Sequence, residues 1–344
     1  MDRNVSSSAG TRGVTTLMIF VWFSLIAAAV GVVGVVLARA SDRLGEALRL
    51  ERSLTGFLML AVATSLPELV VSCQVAYQGS VDMAVGSLLG SCLMNLLILA
   101  AIDLSRRSKI RMLSRQAAAH ALASLSSVLL AGIVAVAILL PLRPAGLWRI
   151  GTGSLVLVLA YLMTFRMVFL DRRVATAAEF IESAPPAVNV PRMRPLILYV
   201  SSTIGIFLLA PPLASTSERM SVALGLTGTF FGAVFLALVT SLPEVVTTAE
   251  ASRMDAHDLA IGNILGSNAF NLLILVAVDI VHPRPLYAEL MPVHALAALG
   301  VIITTTIALM GILYRVEKRL WYLEPDAIAV IGSSLMFFYF LYAI

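Results

Sequence analysis

Charge is scarce in this chain. Of its 344 residues only 13% are Asp, Glu, Lys or Arg, 59% are apolar, and the mean hydropathy is +0.95. A soluble domain could not cover itself with so little charge, which excludes an ordinary globular protein and leaves an integral membrane protein. Cysteine is nearly absent: Cys73 and Cys92 both fall in apolar runs, so neither a disulfide framework nor a zinc site is a sensible reading. No Gly-rich phosphate loop of the G-x-x-x-x-G-K-[ST] kind occurs, which argues against ATP-driven work. Long polar stretches are also missing, apart from 171–194, a Pro-containing charged linker too short for a folded regulatory domain.

What is present is a series of apolar runs, each near the 20 residues or so that cross a bilayer. Ten are read, at about 15–38, 54–77, 82–103, 116–140, 147–169, 195–213, 226–251, 258–280, 290–313 and 326–343. The polar start of the chain and the length of the first run predict an uncleaved first span rather than a signal peptide. The expected fold is all-α and polytopic, with residues 1–170 as one five-helix repeat, 171–194 as a cytoplasmic linker and 195–344 as the second repeat. An odd number of spans per half inverts the second copy in the membrane. Only six of the 24 Lys and Arg (Arg3, Arg12, Arg143, Arg149, Arg219 and Arg284) fall in one set of alternate loops, which the positive-inside rule makes the outer set. Both termini are therefore expected outside a plasma (inner) membrane. The remaining basic residues, scattered over short loops, predict lipid headgroups and not nucleic acid as partners.

Two stretches repeat each other without a gap. Residues Ala63–Leu104 and Val239–Ile280 match at a constant separation of 176 positions, pairing Thr64 with Thr240, Ser65 with Ser241, Pro67 with Pro243, Glu68 with Glu244, Ser91 with Ser267 and Asn95 with Asn271. The duplicated regions span about 54–104 and 226–280. SDRLGEALRL from Ser41 recurs as SERMSVALGL from Ser217, predicting a duplicated connection between the first two spans of each half. Duplicated, interrupted helices carrying acids point to a transporter binding site.

Glu68 and Glu244 stand in long apolar surroundings, where an ionisable group costs about 2.5 to 3.5 kcal/mol on insertion scales and signals function. Pro67 and Pro243 withhold a helical N–H and free carbonyls around Ala63 and Thr64, and around Val239 and Thr240. Thr64, Ser65 and Glu68, and their copies Thr240, Ser241 and Glu244, are spaced to gather oxygens at those kinks. Ser91 with Asn95, and Ser267 with Asn271, each share a helix face four residues apart. Gly86 with Gly90, and Gly262 with Gly266, are GxxxG pairs that let helix backbones approach. A set made wholly of oxygens suits hard cations such as calcium or sodium. His120 and His294, near span ends, are read as completing hydrogen bonds. Asp82 and Asp258 are read as helix N-caps, Asp103 and Asp279 as interfacial, and Glu250, present in one repeat only, as no central ligand.

The two TSLPE motifs, each followed by G(S/N)(L/I)LGS and an Asn, resemble the paired alpha-repeats of the cation/calcium antiporter superfamily, which includes the sodium/calcium exchangers. The resemblance covers nearly the whole chain. It implies alternating access, with the first and sixth spans sliding against a core. It further implies Glu68 and Glu244 as calcium carboxylates, Thr64 and Thr240 as ligands through hydroxyl and carbonyl, and Ser65, Ser91, Ser241 and Ser267 as sodium ligands. Ala61 and Ala237 would contribute backbone carbonyls, and Asn95 the central amide. The chain departs from the sodium/calcium exchangers at Asn271, where they carry Asp, and Cys92 stands where the second repeat has Asn268. Calcium exchange against sodium is the leading reading. A proton-coupled exchanger is the alternative, because two carboxylates sharing a site disfavour each other's ionisation. A channel does not need two inverted copies with broken helices, and an enzyme lacks a third catalytic group. The transported ions would be calcium, sodium or protons, with no further cofactor and a single chain as the working unit.

Overall fold

The structure is a computed structural model, which describes residues 3–105, 117–140, 150–182, 192–223, 229–313 and 325–343. Every regular element among the described residues is helical. In chain order they are α1 (Arg3–Leu48), α2 (Arg52–Leu54), a π-helical stretch (Thr55–Leu60), α3 (Ala61–Thr64), α4 (Leu66–Tyr77), α5 (Val81–Ser105), α6 (Ala117–Leu139) and α7 (Thr152–Glu182). There follow α8 (Met193–Ala223), α9 (Thr229–Thr240), α10 (Leu242–Arg253), α11 (His257–Val281), α12 (Leu286–Glu289), α13 (Val293–Leu313) and α14 (Pro325–Ala343).

Eight of these segments are long and apolar enough to cross a membrane, and α9 with α10, bent by 46° at their junction, supply a ninth. The expected span at 326–343 appears as a shorter apolar helix, Pro325–Leu341, and the residues just before it lie outside the described set. Two connections expected as loops are helical instead. The repeated segment from Ser41 continues α1 to Leu48, and the start of the expected linker continues α7 to Glu182. Nothing in either stretch breaks a helix, since Pro185 is the first proline after α7 begins.

Burial sorts the helices. In α5 the most apolar window is 78% buried, against 11% in α1. The rim helices turn Trp22, Leu25, Leu159, Met163, Ile197 and Leu208 outward, an apolar exterior that only hydrocarbon satisfies. α5 and α11 pack against each other at the centre, α1 lies along α8, and α13 lies along α6.

The repeat is visible in backbone detail. Gly79 and Asp255, equivalent by the 176-residue separation, both adopt positive φ (88° and 53°) just after α4 and α10. Both turns close with the same bond, Ser80 N–H to the Val75 carbonyl at 3.1 Å and Ala256 N–H to the Ala251 carbonyl at 2.9 Å. This left-handed cap turns the chain from each acid-bearing helix into α5 or α11.

Candidate cation site

Each acid sits immediately after a break. Ser65 (φ −87°, ψ 6°) and Ser241 (φ −79°, ψ 7°) leave helical geometry, and a proline occupies the first turn of α4 and α10. The nitrogens of Pro67 and Pro243 carry no hydrogen, so the carbonyls of Ala63 and Val239 receive no helical donor from them. The carbonyls of Ala61 and Ala237 are less free. Ala61 O accepts from Ser65 N–H at 3.0 Å and Thr64 Oγ1 at 3.2 Å, and Ala237 O from Ser241 N–H at 3.0 Å and Thr240 Oγ1 at 3.3 Å.

The two breaks exchange their serines. Ser65 Oγ donates to Glu244 Oε1 at 3.2 Å, and Ser241 Oγ donates to Glu68 Oε1 at 3.4 Å. Ser267 Oγ, from α11, donates to the same Glu244 oxygen at 3.4 Å. Glu68 and Glu244 are 1% and 0% exposed, so the neighbouring protein must satisfy them. Their second oxygens, Oε2 in each, have no hydrogen-bond partner. Ser91 Oγ and Asn95 Oδ1 are buried and unpartnered as well, as are both side-chain polar atoms of Asn271. Orphaned buried oxygens are rare because each forfeits its solvation. The unpartnered second oxygens of two buried carboxylates fit a hard cation, which is bound by oxygens and needs no donor hydrogen.

The twelve residues expected at the site divide unevenly. Glu68, Glu244, Ser65, Ser241, Ser267 and Thr64 are joined by contacts, with Thr64 Oγ1 lying 3.4 Å from Ser267 Oγ. Thr240 bonds back to its own helix, at the carbonyls of Leu236 and Ala237, and its hydroxyl also reaches Glu68. Asn95 donates through Nδ2 to Asn268 Oδ1 at 3.0 Å. Ser91 is buried in α5 without a hydrogen-bond partner, and Asn271, buried in α11, reaches only the Cys92 sulfur.

Sequence reasoning missed Asn263. Its Oδ1 accepts from Thr64 at 3.3 Å, and its amide donates to Thr247 and Thr248, both at 3.1 Å. The signal was available, since Asn263, Ser267 and Asn271 recur every fourth residue, as do Ser87, Ser91 and Asn95. Asn268 was noted only as the counterpart of Cys92, yet it contacts both Asn95 and the Cys92 backbone.

Away from the centre, the N-cap reading of Asp82 and Asp258 is corrected. The helices begin at Val81 and His257, so both acids lie inside the first turn. Instead of capping, Asp82 Oδ1 meets His294 Nε2 at 2.8 Å and Asp258 Oδ1 meets His120 Nε2 at 2.9 Å. Each histidine thus completes a hydrogen bond with the other repeat. Asp103 and Asp279 lie near the ends of α5 and α11, where they were expected, and are buried within the protein. Asp279 accepts from Gly151 N–H, Ser154 Oγ and Leu286 N–H at 2.7 to 2.9 Å, neutral donors that tie the starts of α7 and α12 to the end of α11. Beside it, burial pushes the Tyr287 phenol up, against a smaller opposing effect from Ser154. Glu250 pairs outside the centre with Arg39, at 2.7 Å.

A helical membrane protein whose two similar halves exchange hydrogen bonds around a pair of buried acids is built as a transporter. The chain belongs to the sodium/calcium exchanger protein family, whose model matches residues 16–169 and 195–344. Membership places it among the cation antiporters. An uncharacterised membrane protein of Methanocaldococcus jannaschii is 23% identical over 228 residues, covering 66% of this chain and 70% of that protein. The inner membrane protein YrbG of Escherichia coli is 29% identical over 229 residues, or 64% and 66% of the two chains. Among solved structures, the sodium-calcium exchanger NCX_Mj has a similar fold, with a TM-score of 0.69 and 18% identity over 93% of this chain and 98% of that one.

Proposed function

We propose that this protein is a secondary antiporter exchanging calcium for sodium by alternating access, built from ten spans in two inverted five-helix repeats, 1–170 and 195–344, joined at 171–194. The observation that carries the reading is the crossed pair of serine–glutamate contacts, with the second oxygen of each acid left for a cation. Glu68 and Glu244 are the calcium carboxylates in this reading. Ser65, Ser91, Ser241 and Ser267 add hydroxyls, Thr64 and Thr240 hydroxyls and carbonyls, Asn95 and Asn271 amide oxygens, and Ala61 and Ala237 backbone carbonyls. The protein works as one chain among inner-membrane lipids, with both termini outside.

One observation favours protons as the counter-ion instead. No Lys, Arg or His contacts either acid among the described ion pairs, so a proton is an available way to neutralise them in an apolar surrounding. The deciding experiment is calcium uptake into proteoliposomes driven separately by a sodium gradient and by a pH gradient, for the wild type, Glu68→Gln and Glu244→Gln. Uptake that follows sodium and vanishes in both variants supports the leading reading. Uptake that follows pH alone selects the proton-coupled form. Full calcium flux in either variant overturns the paired-carboxylate site.

A further inference from the structure

Two equivalent amides, Asn95 in α5 and Asn271 in α11, are held differently, and residue 92 is the reason. Asn268 Nδ2 donates to the Cys92 backbone carbonyl at 3.2 Å. A carbonyl only accepts, so Asn268 must present its own Oδ1 on the other side, where Asn95 Nδ2 reaches it at 3.0 Å. That donation fixes the Asn95 amide and leaves Asn95 Oδ1 buried and unpartnered, free for a cation. The mirror-image chain begins in the same way: Cys92 Sγ donates to the Asn268 backbone carbonyl at 3.7 Å. It then weakens, because the thiol offers Asn271 only a poor sulfur acceptor where Asn268 offers Asn95 an amide oxygen. Asn271 is 0% exposed, its amide reaches the Cys92 sulfur, and it makes no hydrogen bond of ordinary geometry.

We propose that Cys92 holds the Asn271 amide only weakly, so that the site pairs one fixed amide ligand with one that turns more freely, and that residue 92 thereby sets cation affinity as a positioning residue. This rests on the cation-site reading above. A fixed amide has its carbonyl aimed before the ion arrives, whereas a turning amide loses rotational freedom when it binds, which weakens binding and speeds release. Chain geometry makes room for the test, since Asn268 already occupies the equivalent buried position in the other repeat.

The test measures calcium KM and maximal flux in proteoliposomes. Cys92→Asn supplies the missing amide oxygen, and is expected to lower KM about fivefold to tenfold and to lower maximal flux, since release slows. Cys92→Ala, which offers no amide either, is expected to keep KM within about twofold of the wild type. Asn268→Cys frees Asn95 and is expected to raise KM. The double swap, Cys92→Asn with Asn268→Cys, exchanges the fixed amide for the turning one and is expected to return KM close to the wild type, a rescue that damaged packing would not produce. An unchanged or raised KM in Cys92→Asn overturns the proposal. Should that variant not fold, Asn268→Cys with an unchanged KM does the same. Glu68→Gln and Glu244→Gln run alongside: full flux in those variants means that the site reading itself has failed, whereas their loss with no KM change at residue 92 defeats this inference alone.

Discussion

Asn271 fixes how many charges the proposed site can balance. With Glu68 and Glu244 as its carboxylates, that site would neutralise one calcium, two sodium ions or two protons, and a third sodium would leave an uncompensated charge near the membrane centre. Exchange is therefore expected to depend little on voltage, and Asn271→Asp to increase that dependence or strengthen sodium coupling. Calcium flux in proteoliposomes clamped at several potentials, with both versions, checks this. Steep wild-type voltage dependence that the substitution leaves alone contradicts it. Asn95→Ala removes an oxygen but no charge, so calcium flux should fall less than in Glu68→Gln when the two are assayed together. At this scale the sequence was informative where chemistry is costly: an acid beside a proline in apolar surroundings has few uses. It was poor where side chains are ambiguous. Asn263 reads as one more small polar residue until the structure sets it between Thr64 of one repeat and Thr247 and Thr248 of the other.

Helix packing breaks the symmetry that the repeat leads one to expect. A Cβ added at Gly266 would lie 2.4 Å from the Phe57 carbonyl oxygen, and one at Gly262 would lie 2.4 Å from the Ser53 carbonyl oxygen. The equivalent of Gly266, Gly90, faces only the Ala237 Cβ at 3.4 Å. Gly266→Ala should therefore destabilise the protein by about 1 to 3 kcal/mol, the range for overpacking, while Gly90→Ala is tolerated. Thermal unfolding in detergent, with size-exclusion profiles, compares them, and equal behaviour of the two variants refutes the asymmetry. The GxxxG spacing was legible in both copies, but how closely each helix is approached was not. That depends on the backbone route of 52–64, including the π-helical stretch over Thr55–Leu60, and a π-turn leaves no periodic mark in a run as apolar as TGFLML. The caps illustrate the same limit. Asp82 and Asp258 sit where helices begin, and only a histidine some 140 to 210 residues away turns each into a cross-link.

Across the whole molecule, the order of the apolar runs was legible because hydrocarbon demands length and composition together. Where ten spans were expected, the described residues hold eight, or nine with the bent α9–α10 pair, and a shorter apolar helix. Orientation rests on the Lys and Arg distribution, and it is directly testable. In a background without Cys73 and Cys92, Ser7→Cys should react with an impermeant thiol reagent on intact cells and Ala187→Cys should not. The reverse pattern inverts the topology. The exchanged serines carry a thermodynamic consequence. Because Ser65 serves Glu244 and Ser241 serves Glu68, neither half contains the whole of the proposed site, and an ion held there would act as a removable cross-link. Occupancy and cohesion are then one quantity: calcium at about a hundred times its dissociation constant should add roughly 2.7 kcal/mol to the folded state. The melting temperature should therefore climb with calcium in the wild type and stay flat in Glu68→Gln, which makes heat resistance in detergent a binding assay that requires no membrane.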